Sequence, residues 1–415
     1  MRNKIKKISL LFLLSLGISP VWSQVASMQE YYQEAMSNSD QIKALEHKAE
    51  AMDRKKIYMG GLPDPMVMVG LGLLPVETRL GPQRGTVSVS QMIPGKGKLK
   101  SQVALIDQEK VVIQAQINDL KSQITRQVSA LWLTFYKIDF EKNQLQEQLA
   151  WYEELMPLLV SKVENGTGSQ VDYLQLKTLI LETKRALSLY EESNQKNLAQ
   201  WRALMGNEQA AIPQIPAKLD SVLTYEIPTL EEVVDQNVKL KLKEEQIKTA
   251  QIKSELAGLS YRPDFTIGAT YINVGKRSDM DVPNNGKDAI LLPQVSFKIP
   301  LNKAKNESFS LEQEHYKSQI ESEKSAVTKE LQAQYENLIA AVSETNKNEE
   351  VDTELIELLE QTRELMLVEY INGKRRYDDL IRVHAKLIDL HQKKEMRRME
   401  RAKACFELQF LSGLY

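Results

Sequence analysis

The chain carries one ordered set of motifs twice. Leu62-Pro63-Asp64-Pro65 is answered by Arg262-Pro263-Asp264-Phe265, and Val89-Ser90-Gln91-Met92-Ile93-Pro94 by Val295-Ser296-Phe297-Lys298-Ile299-Pro300. Asn165-Gly166, with Asp172 six residues after the glycine, returns as Asn372-Gly373 with Asp379 six after. Leu204-Met205-Gly206 returns as Leu411-Ser412-Gly413. The offsets are 200, 206, 207 and 207, so insertions between the copies are few. Whatever one half folds into, the other must fold into as well, and the order in each is helix, strand pair, very long helix, glycine turn, helix.

Periodicity places those elements. Met28 to Met59 predicts one helix, stopped by Gly60-Gly61 and Pro63. Met66–Leu74 and Thr86–Ile93 predict strands, since Val87 and Val89 alternate with Ser88 and Ser90. The stretch from Pro75 to Gly85 is rich in turn formers and predicts a loop. From Lys96 to Glu164 only Pro157 interrupts a helical pattern. Its apolar stripe runs from Ile106 through Ile124, Leu131 and Leu145 to Val163 at roughly 3.56 residues per turn, between a straight helix and a heptad coiled coil. A helix of this length reaches about 100 Å at 1.5 Å per residue. The second copy predicts a helix to Gly258, a strand pair within 265–299, a long helix from Lys303 to Ile371 and a last helix from Arg376 to Phe410. The long helix of this copy has its stripe broken by a polar run, Ser343 to Glu350.

The division expected is therefore a signal peptide at 1–23, a first repeat at 24–206 (strand pair 66–93, helical hairpin 96–205), a linker at 207–229, and a second repeat at 230–415 (strand pair 265–299, hairpin 303–410). The signal peptide rests on basic residues before an apolar run from Ile8 to Ile18, too short to span a bilayer, and on Ser23 ahead of Gln24. No cysteine follows it, so no lipid anchor is expected. Cys405 is the single cysteine, which leaves no disulfide. A net charge of -2 argues against nucleic acid as a partner.

Four strands cannot close a barrel alone, and an isolated pair is marginal in water. Two readings follow. Either this is a soluble helical protein with two hairpins, or the strands enter a membrane, where no edge stays open and several chains must share one barrel. Phe265, Ile267, Ala269 and Tyr271 on one side and Thr266, Gly268 and Thr270 on the other suit the second. Three chains would supply twelve strands, closed by cyclic symmetry.

With these segments in view, the chain resembles the TolC-like outer-membrane efflux channels, and within them the branch that serves heavy-metal cation exporters. The resemblance rests on Leu62-Pro63-Asp64-Pro65-Met66, on Val87 to Pro94 followed by Gly95-Lys96-Gly97-Lys98-Leu99, and on the paired tip glycines, and covers the whole chain after residue 23. It implies a mainly α fold with a small β part. Duplicated long hairpins would form a trimeric periplasmic α-barrel, and four strands per chain would join a shared twelve-stranded outer-membrane β-barrel. The implied partners are two further copies of the chain, a periplasmic adaptor, an inner-membrane efflux pump and outer-membrane lipid, in a Gram-negative bacterium. Members of that branch often carry an N-terminal lipidated cysteine, which has no counterpart here.

The resemblance also implies a gate at the periplasmic tip. There an aspartate of the first repeat bonds a tyrosine and an arginine of the second. The matching positions are Asp172, Tyr370 and Arg375, with Asp379 six residues after Gly373 and Arg382 at a position acidic in some members. A ring of like charge at a pore mouth concentrates counter-ions. Asp172 and Asp379 also fit the plainer role of capping the returning helices, which favour negative charge near their N-termini. The tip turns themselves need Gly166 and Gly373.

Other patterns carry no chemistry. Gly95-Lys96-Gly97-Lys98 lacks the spacing of a phosphate loop. His384 and His391 lie seven apart with no third ligand in the pattern. Neither a catalytic triad nor a cofactor motif is present, so a non-enzymatic protein without a cofactor is expected. A passive conduit and a periplasmic coiled-coil adaptor remain as alternatives. The two hairpins and two strand pairs favour the first.

Overall fold

A computed structural model describes residues 28–216, 219 and 227–413. The expected signal peptide and residues 217, 218 and 220–226 of the expected linker lie outside them. The described chain runs α1 (Met28–Asn38), α2 (Asp40–Gly60), β1 (Met66–Thr78), β2 (Gly81–Ile93), α3 (Lys98–Glu164) and α4 (Gln170–Met205). It continues as α5 (Leu230–Gln236), α6 (Val238–Leu259), β3 (Asp264–Val274), β4 (Ala289–Lys298), α7 (Lys303–Ile371) and α8 (Tyr377–Leu411). The result is mainly helical with one small antiparallel sheet.

Two helices expected to be continuous are broken, and for the same reason. Ser39 caps α2 and Asn237 caps α6. At each break an asparagine turns to the far end of its own repeat. Asn38 Nδ2 donates to the carbonyl of Met205, at 2.8 Å, and Asn237 Nδ2 to that of Leu411, at 3.0 Å. Helix C-termini leave carbonyls without intrahelical partners, and these amides satisfy one in each repeat. The closing glycines Gly206 and Gly413 both adopt a left-handed conformation, at φ 60° and 68°.

The expected loop from Pro75 to Gly85 is a second correction. β1 and β2 each run 13 residues and are joined only through Arg79 and Leu80. Pro75 lies where the register shifts between Leu71 and Val76, so its missing N–H falls in a bulge rather than a regular ladder. The two strand pairs do not stand apart. They join as a single meander, β1-β2-β3-β4, with β1 and β4 as free edges among the described residues. One face carries a hydrogen-bonded polar row, Ser88 to Thr270 to Gln294, at 2.8 Å each. The other exposes Val67, Val69, Ile267, Tyr271, Val295 and Phe297.

Below the sheet, α3 packs on α4, α7 on α8, α2 on α3, and α6 on α7. Pro157 sits inside α3 without ending it. The main core gathers Trp132, Phe135, Trp201, Met205, Phe406 and Phe410 with Tyr32 of α1. Trp201 is fully buried, its ring centroid 5.2 Å from Tyr31 and 5.9 Å from Phe135.

The polar run that interrupts the α7 stripe turns out to be half of an ion network. Glu349 receives Arg398 at 2.6 Å and Arg401 at 2.9 Å, while Arg397 pairs with Asp352. Burial raises the Glu349 carboxyl, but the two guanidiniums outweigh it and hold it below its ordinary range. Tyr136 of α3 donates to Glu395 at 2.6 Å, which ties the network to the first repeat.

Candidate gate at the hairpin tips

Each hairpin reverses through the same local geometry. Asn165 (φ -82°, ψ 3°) and Asn372 (φ -82°, ψ 6°) end the outgoing helices, and Gly166 and Gly373 follow at φ 68° and 72°. Nothing lies within 4 Å of a Cβ added at either glycine, so the backbone conformation alone, not space, demands glycine there. Ser169 then caps α4 by accepting from the N–H of Val171 at 3.1 Å.

Beneath the turns an apolar cluster locks the two repeats together. It contains Tyr152, Leu155, Leu159, Leu176, Ile180, Tyr370, Tyr377 and Leu380. Tyr370 is buried here, with Lys162 Nζ 4.8 Å from its ring centroid and the Tyr377 ring 6.2 Å away. Burial raises its hydroxyl pKa, and the charge of Asp172 raises it further. Tyr377 is also buried, and its hydroxyl has no partner among the described residues.

Asp172 occupies the first turn of α4, where the helix N-terminus favours negative charge. Its carboxyl is raised, first by burial and then by the nearby Asp378, against the opposing pull of Arg376 and Ser169. Asp379 takes the same place on α8, 4.0 Å from Arg382. Arg375 donates through Nε to Glu369 at 2.8 Å, both side chains about half exposed. Within one chain, then, the charge of Asp172 acts on the Tyr370 hydroxyl, while Arg375 is held by Glu369. Three residues that sequence reasoning passed over belong to this cluster. These are Glu369, Arg376 and Asp378, and Arg376 pairs with Asp378 at 2.9 Å.

Farther from the tip, His384 lies against the first repeat, its ring stacked 3.7 Å from Trp151 and edge-on to Tyr152 at 5.5 Å. Neither ring nitrogen has a partner among the described residues. His391 instead meets Glu360 at 3.7 Å, so the two histidines serve different neighbours. Among the described residues no group of three potential metal ligands comes together.

Burial, and secondarily Arg363, push the His384 imidazole down to about 4. An unfolded chain takes up this proton near pH 6.5, before the folded one does. The associated stability is therefore complete above pH 6.5 and is lost as pH falls toward 4. Moving from pH 7 to pH 5 should cost about 2 kcal/mol at this one site. Amide exchange in α3 and α8 around Trp151 and His384 is expected to quicken at pH 5, after correction for intrinsic rates. His384→Phe should abolish that difference.

No protein-family model and no curated protein matches the sequence. Solved structures do match it. CusC, described in terms of transmembrane channel formation, aligns with TM-score 0.74 at 13% identity, over 96% of this chain and 95% of its own. The outer membrane protein VceC from Vibrio cholerae aligns with TM-score 0.73 at 14% identity, over 93% and 95%. The open state of the MtrE outer membrane channel of Neisseria gonorrhoeae gives 0.69 at 14%, over 93% and 88%. Identities this low show the fold, and the fold is that of outer-membrane channel proteins along nearly the entire length of both partners.

Proposed function

We propose that this chain is the outer-membrane channel of a tripartite efflux system. In this reading it is a passive homotrimeric conduit in the outer membrane of a Gram-negative bacterium, with a large periplasmic part. It takes heavy-metal cations or small toxic compounds from an inner-membrane pump through a periplasmic adaptor and releases them outside. The observation that carries the reading is the near full-length fold likeness to outer-membrane channels. Two features of the chain add to it. One face of the sheet exposes a largely apolar surface, with Phe265 and Phe297 paired edge-on at the end nearer the helices, as an aromatic girdle would be. Among the described residues both sheet edges are also free, which lipid does not tolerate in a lone chain. Among the described residues no helix is long and apolar enough to cross a membrane.

A periplasmic adaptor would need neither the second hairpin nor an apolar sheet face. In outer-membrane extracts the conduit reading expects a heat-labile trimer that conducts ions in planar bilayers. A monomer found in the periplasmic fraction overturns it.

A further inference from the structure

The internal repeat is kept in the hydrogen-bonded register of the sheet, and this determines which residues of a second copy would meet the free edges. Strand β1 corresponds to β3 at an offset of 200, and β2 to β4 at 206. In the first pair Val67 stands opposite Val89. Applying the two offsets turns that pair into Ile267 opposite Val295, which is the pairing observed between β3 and β4. Over residues 66–68 and 266–268 the repeat therefore holds residue for residue.

The central pairing, β2 against β3, already joins a first-repeat strand to a second-repeat strand. It places Val89 opposite Ala269 and Gln91 opposite Ile267. Carrying β2 forward by 206 and β3 back by 200 converts these into Val295 opposite Val69 and Phe297 opposite Val67. Within one chain β1 and β4 are the two outer strands of the sheet, so this contact requires a second copy. We infer that β1 of one chain pairs antiparallel with β4 of a second copy, Val69 facing the partner's Val295 and Val67 facing the partner's Phe297. The inference rests on the channel reading above and adds the register that would close the barrel.

Four observations support this register. All four side chains are now more than half exposed, at 65%, 53%, 63% and 58% in the order given. All four lie on the apolar face, so apolar meets apolar across the seam. A slip of one residue would turn each of these side chains to the wrong face. The segments involved, Met66–Leu71 and Gln294–Lys298, also lie outside the register shifts of their present pairings. Asp264 supplies the fourth. It accepts from the backbone N–H of Gly95 at 2.9 Å and from Lys98 at 2.7 Å, fastening β3 to the start of α3. Its repeat counterpart Asp64 is exposed and has no polar partner among the described residues. The same register brings Asp64 to the partner's Pro300, where β4 leads into α7.

Cysteine cross-linking in the full-length protein, with Cys405→Ser as background, tests the register. Directly opposed residues lie within disulfide reach, whereas neighbours two positions away are about 7–8 Å apart and beyond it. Val67→Cys with Phe297→Cys is expected to give a covalent trimer on oxidation. Val69→Cys with Phe297→Cys, on the same face but two residues out, should not. Val67→Cys with Val89→Cys must close within one chain and reports that the sheet has folded. Cross-linking by the second pair and not the first overturns the register while leaving a shared barrel. No cross-link from either, in a protein that is still trimeric, overturns the edge pairing alone. If the protein is also monomeric, the channel reading falls with it.

Discussion

Replacing Arg397 by methionine is expected to loosen the second hairpin by about 3 kcal/mol, the lower end of the range for breaking a buried ion pair. The reason lies with its partner. The Asp352 side chain is only 7% exposed, so losing the guanidinium strands a charge where water cannot reach it. Arg397 is itself about a third exposed, which keeps the effect from being larger. Methionine retains the aliphatic bulk of the stem, so the change reports charge rather than packing. At about 1.4 kcal/mol per tenfold, amide exchange in the facing parts of α7 and α8 should accelerate about 100-fold.

Two controls separate this mechanism from a general loss of charge. Lys56 and Asp107 are also paired, at 2.8 Å, but both are nearly half exposed. Lys56→Ala is therefore expected to change stability by less than about 1 kcal/mol. Adding Asp352→Leu to Arg397→Met should restore most of the loss, because the uncompensated charge leaves with the aspartate. If Arg397→Met behaves like Lys56→Ala, the network does not hold the hairpin.

The network also shows which features a sequence makes legible. The duplicated hairpins could be read because local signals specify them. Glycines at 166 and 373 stop the helices, and the α3 stripe keeps its period from Ile106 to Val163. The run from Ser343 to Glu350 reads as an interruption, since the partners of its Glu349, Arg398 and Arg401, come about 50 residues later on the returning helix. The breaks at Ser39 and Asn237 were hidden for a related reason. Asn38 and Asn237 act on carbonyls more than 160 residues away, and no local pattern records that. Pro75 and Pro82 misled in the opposite sense. Both are ordinary turn signals, yet one falls at a register shift and the other lends its carbonyl to the N–H of Gly275 at 2.7 Å. At the tip, the family resemblance supplied Asp172, Tyr370 and Arg375. Glu369 stayed unseen because its contact with Arg375 arises only once the chain has turned.

That contact sharpens what gate variants should do. In the proposed closed state Asp172 bonds Tyr370 and Arg375, and the three chains contribute equally. Arg375 has first to leave Glu369, an exposed partner 2.8 Å away in its own chain. Glu369 thus competes with closure. Tyr370 needs no such exchange, since its buried hydroxyl already lies within the field of Asp172. A tyrosine hydroxyl bonded to a carboxylate contributes about 1.5–3 kcal/mol, so three of them supply several kcal/mol toward the closed mouth. A shift of that size moves a two-state equilibrium strongly toward open. Tyr370→Phe with Arg375→Ser is accordingly expected to raise single-channel conductance in planar bilayers with the trimer intact. Glu369→Gln should act in the opposite direction, freeing Arg375 and lowering conductance. Arg382→Asp should increase block by divalent cations, since it removes the positive charge 4.0 Å from Asp379 and leaves the mouth more acidic. If the double variant conducts like the unmodified protein and Glu369→Gln changes nothing, Asp172 does no more than cap α4 and the constriction lies elsewhere.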